Sequence, residues 1–195
     1  MTRAAARATA TIALACAALG CEARAADGGV GVSANPGGDL AAPPAVRVGV
    51  AIPLEWEPLP EVAAAGLAAV GEAARGRTVV RAWGTPSLGC YATVVELVAA
   101  RGEHAPRVAE TFRATLALGA QVDDWTYTDG APAEARASIV RGAMRGAVRG
   151  RIATGTDGVP HGAFAACFYN ERDPARCQAA CAGLLASLEA PKVSP

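Results

Sequence analysis

Hydrophobic residues in this chain recur with two different periods, and the switches between them sketch the elements. Val46, Val48, Val50 and Ile52 take every second position and predict a strand over 46–52. Pro53, Pro58 and Pro60 then hold "PLEWEPLP" in a bent, non-helical path, because proline fixes φ and removes an amide donor. Residues 61–75, "EVAAAGLAAVGEAAR", are alanine-rich and predict a helix in spite of Gly66 and Gly71. "RTVVRAW" (77–83) and "CYATVVELVA" (90–99) are rich in β-branched residues and predict two strands around a "GTPSLG" turn. Helical spacing follows: Pro106 suits a first turn, Val108, Phe112 and Leu116 fall at i, i+4 and i+8, and Gly119 can end the helix. "VDDWTYT" predicts a short strand.

The cleanest alternation runs over 139–152. Val140, Met144, Val148 and Ile152 share the even positions with Gly142, Gly146 and Gly150, while Arg141, Arg145, Arg149 and Arg151 take the odd ones. A period of two predicts one strand with an inward apolar face and an outward row of arginines. "TGTDGVPHG" predicts a turn and "AFAACFYN" a returning strand. The last element is a helix: Asp173 suits the N-cap, Pro174 the first helical position, and Cys177, Cys181, Leu184, Leu185 and Leu188 form one apolar stripe. The expected fold is α+β, a mostly antiparallel sheet with packed helices, in a single domain over 46–190 with a short tail at 191–195.

The start of the chain reads differently. "MTRAAARATATIALACAALGCEARAADGG" has a positive start at Arg3 and Arg7 and an uncharged small-apolar run from Ala8 to Leu19, the parts of an export signal. That run is too short to span a bilayer, which needs roughly 20 apolar residues. "ALGC" (18–21) resembles the lipobox of bacterial lipoproteins, with Ala18 where that family usually carries Leu. The resemblance implies a signal peptide over 1–20, a lipid-bearing N-terminal Cys21, and a domain held at the cell envelope, on the outer membrane facing the periplasm. "ARA" (23–25) offers the alternative, ordinary cleavage and a secreted soluble protein. Residues 21–45, rich in Gly, Ala and Pro, read as a tether.

Charge narrows the partners. The full chain carries 18 basic and 18 acidic residues; loss of 1–20 takes Arg3 and Arg7 and leaves 16 basic and 18 acidic, a formal charge of −2. That balance, with export, argues against nucleic acid. The row Arg141, Arg145, Arg149 and Arg151 is a candidate face for an anionic partner, an envelope protein, glycan or lipid headgroup; the plainer reading is a solvated sheet face paired with Asp and Glu.

Four internal cysteines remain in the exported chain: Cys90, Cys167, Cys177 and Cys181. An even number in an oxidising compartment favours disulfides. Cys177 and Cys181, four apart on a helix, have Cβ atoms about 5–6 Å apart, whereas a disulfide needs roughly 3.5–4.5 Å. Each helix cysteine is therefore expected to join a strand cysteine, as 90–177 with 167–181 or as 90–181 with 167–177. The alternative is an exported thiolate metal or redox site, copper-type, built from Cys167, Cys177 and Cys181 with His161 near.

"AFAACFYNERDPARCQAACAGLLASLE" and the arginine strands before it resemble the PsbP-like α/β/α sandwich of small bacterial envelope lipoproteins, over about the last third of the chain. The resemblance implies an accessory or binding role and brings no catalytic residue. His161 and His104 read as a solvated turn residue and a helix start, and "DDW" (123–125) is a lone carboxylate pair. With no G-x-S-x-G, H-E-x-x-H or P-loop in the chain, the expectation is a non-enzymatic protein without a cofactor.

Overall fold

The computed structural model describes residues 48–170 and 174–192. The expected signal segment, the whole of the tether with Cys21, and the Asp173 cap lie outside them. Among the described residues, seven strands form a single antiparallel sheet in the order β1-β2-β3-β7-β6-β5-β4. The strands are β1 (Glu57–Pro58), β2 (Thr78–Thr85), β3 (Cys90–Val98), β4 (Gln121–Thr128), β5 (Ala133–Arg141), β6 (Met144–Thr154) and β7 (Pro160–Asn170). The helices are α1 (Pro60–Ala69), the single turn α2 (Glu72–Arg75), α3 (Ala105–Ala117) and α4 (Pro174–Ser187). No helix among the described residues is long and apolar enough to cross a membrane.

The sheet is buried on both faces, which explains why β3 and β7 read as continuous apolar runs. On one face, Val108, Ala109, Phe112 and Leu116 of α3 pack on Ile139, Met144, Val148, Ile152, Phe164 and Ala166. On the other, Cys177, Cys181 and Leu184 of α4, with Leu188 just beyond it, pack on Cys90, Ala92, Val94, Ala163, Ala165 and Cys167. The stripe predicted for α4 is thus the face it buries, and burying apolar side chains is the main force holding the layers together.

Four expectations change. Residues 48–52 form no strand; they run beside the end of α4, where Ala51 N–H donates to Ser187 Oγ at 2.8 Å and Glu189 N–H to the Gly49 carbonyl at 2.9 Å. The predicted 61–75 helix is split: Val70 adopts extended backbone (ψ 131°) and Gly71, a poor helix former, starts α2. The region 139–152 is a hairpin and not one strand. Arg141 pairs with Met144 across a two-residue turn, with Gly142 at φ +53°, a left-handed value that glycine adopts without strain. A two-residue turn inverts parity, so odd residues of β5 and even residues of β6 share a face. Ile139 therefore joins Met144, Val148 and Ile152 in the core, and Val140 points the other way. Finally, β7 begins at Pro160, so His161 is a strand residue, 2 % exposed, and not a turn residue.

Glycines let the α3-side core close. Phe164 stacks on Phe112, ring centroids 4.1 Å apart and planes 11° apart. A Cβ on Gly150 or on Gly162 would come within 2.6 Å of the Phe164 ring.

Candidate functional site

The cysteines come first, because they fix one helix to the sheet. Cys90 at the start of β3 is bonded to Cys177, and Cys167 in β7 to Cys181; both pairs have Cα atoms 5.6 Å apart. This is one of the two pairings left open by helix geometry. Cys90, Cys167 and Cys177 are 1 % exposed or less and Cys181 is 4 % exposed. With the sulfurs joined in pairs, none of the four supplies a thiolate, and the described residues hold no cluster of three or more His, Cys, Asp and Glu that could hold a metal ion.

The arginines do not form one row. Arg141 sits at the end of β5, with Nη1 buried and unpartnered among the described residues; burial lowers its pKa. Arg145, Arg149 and Arg151 lie on β6, alternating with its core positions. Arg149 is turned inward: Nε donates to Glu134 at 2.6 Å, and Nη1 to the Leu185 and Ala186 carbonyls at 3.1 and 2.9 Å. Arg151 Nη1 reaches the Leu188 carbonyl at 3.4 Å. These carbonyls belong to the last turn of α4 and the residue after it, where helix acceptors lack intrahelical donors and the dipole is negative. Two of the four arginines therefore cap a helix. Burial pushes the Glu134 carboxyl up, but the hydrogen bonds and charges of Arg149 and Arg136 outweigh it and hold the group below the usual carboxylate range. Beside them, Asp124, Arg136, Ser138 and Arg149 line a groove of about 460 Å³ against Ala182 and Leu185 of α4.

A second cavity, of about 370 Å³, opens between α1, α2, α3 and the β2–β3 hairpin. Gly66, Val70, Gly71 and Ala74 form one wall, and Thr111, Phe112, Thr115 and Leu116 the other. Its floor is Thr78 and Val80 of β2 with Thr93, Val95 and Leu97 of β3. The break at Val70 and Gly71 creates the first wall, since both residues at the break line the cavity. None of these lining residues carries a titratable side chain. Two hydroxyls are spent locally: Thr78 Oγ1 donates to the Ala74 carbonyl at 2.8 Å and Thr115 Oγ1 to the Thr111 carbonyl at 2.9 Å.

Other candidates resolve into structure. Neither ring nitrogen of His161 has a hydrogen-bond partner among the described residues, and burial holds its pKa below the ordinary value against the pull of Asp157. Glu96, 5 % exposed, is ion-paired with Arg81 on the neighbouring strand. His104 precedes α3 and makes no side-chain cap bond. Asp123 borders a bulge in the edge strand β4 and Asp124 lies within it, at φ +52°.

The cavity escaped the reading by sequence. Its signal was present in threonine placement: Thr78 with Val80 and Thr93 with Val95 at strand spacing, Thr111 with Thr115 at helical spacing beside the Phe112 stripe. What the sequence did not carry was that these three short patterns meet. No family model matches the chain, and no curated protein matches it.

Proposed function

We propose that the chain is an exported, non-enzymatic binding protein of the cell envelope, anchored through a lipid on Cys21, with the cavity between α1, α3 and the β2–β3 hairpin as its ligand site. The observation that carries this is the cavity itself: about 370 Å³, walled by Val, Leu, Phe, Ala and Gly, with threonine hydroxyls as its polar groups. Ligand pockets are concave, mostly apolar and few per protein, and this volume lies at the low end of their range of about 300–1,000 Å³. The lining offers no carboxylate, imidazole or thiol to act as acid, base or nucleophile, so binding is the role it suits.

The three layers, helices on both faces of an antiparallel sheet, are compatible with a PsbP-like sandwich, and that reading of the fold goes with an accessory role at the envelope. The exported thiolate alternative would require both bridges to be reduced, because Cys167, Cys177 and Cys181 are all oxidised in pairs.

The site is tested with N-phenyl-1-naphthylamine, a neutral probe that fluoresces on leaving water. The purified domain is expected to bind one molecule, and Val95→Trp, which fills the floor, is expected to abolish the signal with the fold retained by circular dichroism. Equal signal from the filled variant would move the site elsewhere. Mass spectrometry of the mature N-terminus tests the anchor: an acylated Cys21 supports it, and an unmodified start at Ala26 rejects it.

A further inference from the structure

Resting on that assignment of the site, we infer that the cavity takes an uncharged, chain-like molecule, an alkyl chain ending in a hydroxyl or ester oxygen, and that Thr93 holds this oxygen. Size, charge and one hydroxyl lead to the same class.

Thr93, Val95 and Leu97 line the cavity from successive inward positions of β3. At a rise of about 3.3 Å per residue they span roughly 13 Å. A cavity of about 370 Å³ drawn out over that length is a slot and not a bowl. A cavity of about 150 Å³ accommodates benzene, so this one holds on the order of fifteen non-hydrogen atoms. That suits one chain of about ten carbons with its head atom and excludes a two-chain lipid.

Charge is excluded by the walls. An ionised group inside would meet no opposite charge from the lining residues, and burying an unpaired charge is far more costly than burying a hydroxyl. The head group is therefore neutral.

Thr93 supplies the polar contact. It is 8 % exposed and lines the cavity, and its hydroxyl makes no hydrogen bond to the described residues. The other buried threonine, Thr78, is 8 % exposed and already donates to Ala74. A hydroxyl both donates and accepts, so Thr93 can meet either an alcohol or an ester oxygen. It stands at one end of the Thr93, Val95, Leu97 row, which leaves the chain to lie along Val95 and Leu97.

The test is displacement of N-phenyl-1-naphthylamine at pH 8 by 1-decanol and by decanoate. Decanol is expected to displace the probe and decanoate to fail at thirty times the concentration. Thr93→Val, which has the same shape without the hydroxyl, is expected to weaken decanol about 3- to 10-fold, the range for one neutral hydrogen bond. Thr93→Ser is expected to keep decanol near wild-type affinity. Decanoate competing as well as decanol, or Thr93→Val leaving decanol unchanged, would overturn the ligand class while the site stood. A probe signal that survives Val95→Trp would overturn both.

Discussion

Arg149 Nε lies 2.6 Å from Glu134 Oε1 across the β5–β6 hairpin, and the same guanidinium reaches over to the end of α4. One side chain thus joins a strand pair to the helix that covers it. Charge-assisted hydrogen bonds of this kind contribute roughly 1.5–3 kcal/mol each before context reduces them. Arg149→Ala is expected to lower unfolding free energy in urea by about 1–3 kcal/mol. Arg149→Lys recovers only part of it, because a compact ammonium does not reproduce the planar fork. Arg107, exposed on α3, replaced by alanine should change stability by less than about 1 kcal/mol. Equal losses at 149 and 107 would show that the cap is not what matters.

The bridges give a second prediction. Native protein should show no free thiol among these four cysteines, and peptide mapping should recover Cys90 with Cys177 and Cys167 with Cys181. The second bond spans a sequence separation of 14, for which loop closure predicts about 3 kcal/mol. Cys167→Ala with Cys181→Ala is expected to cost about that much in urea unfolding. Recovery of the crossed pairing, 90 with 181, would contradict the way α4 is seated.

Gly150 is expected to resist even a methyl group. A Cβ there would lie 2.6 Å from Phe164 Cε1, and Phe164 is held flat on Phe112. Overpacking of this kind typically costs about 1–3 kcal/mol. Gly150→Ala should fall in that range, measured by thermal unfolding. By contrast Gly183, with open space around it, should accept alanine without loss.

His161 predicts a pH dependence. Its pKa is held below 6.5 by burial in the folded chain, so between 6.5 and the folded value the unfolded chain binds the extra proton. Stability then falls as pH drops through that window. Urea unfolding at pH 7.5 and 5.5 should show a loss on acidification that shrinks in His161→Leu. The window sits above the carboxylate range, so the lowered Glu134 does not enter it. An identical loss in the variant would assign the effect to another group.

Much of this architecture was legible in the chain. The β2–β3 hairpin, α3 and α4 were readable because each combines a clear period with a turn or cap signal, and the helix cysteines could only reach strands. The β5–β6 hairpin was not, because the even spacing of Val140, Met144 and Val148 continues through Gly142 as if no turn were there. His161 was misplaced because Gly158 and Pro160 look like turn residues, yet β7 takes up its pairing at Pro160. The arginine contacts depend on where α4 ends, a tertiary fact with no local trace.

Residues 48–52 are tied to the end of α4 at Ser187 and to Glu189 just beyond it, and α4 is bolted to β3 and β7 by sulfur. Tension arriving through the leading segment would pass along that route into the middle of the sheet. The slot between α1 and α3 lies on the opposite face of the sheet, but its floor residues Thr93, Val95 and Leu97 belong to β3, the strand that Cys90 ties to α4, so a pull from the N-terminal side would arrive beneath the floor and not at the helical walls.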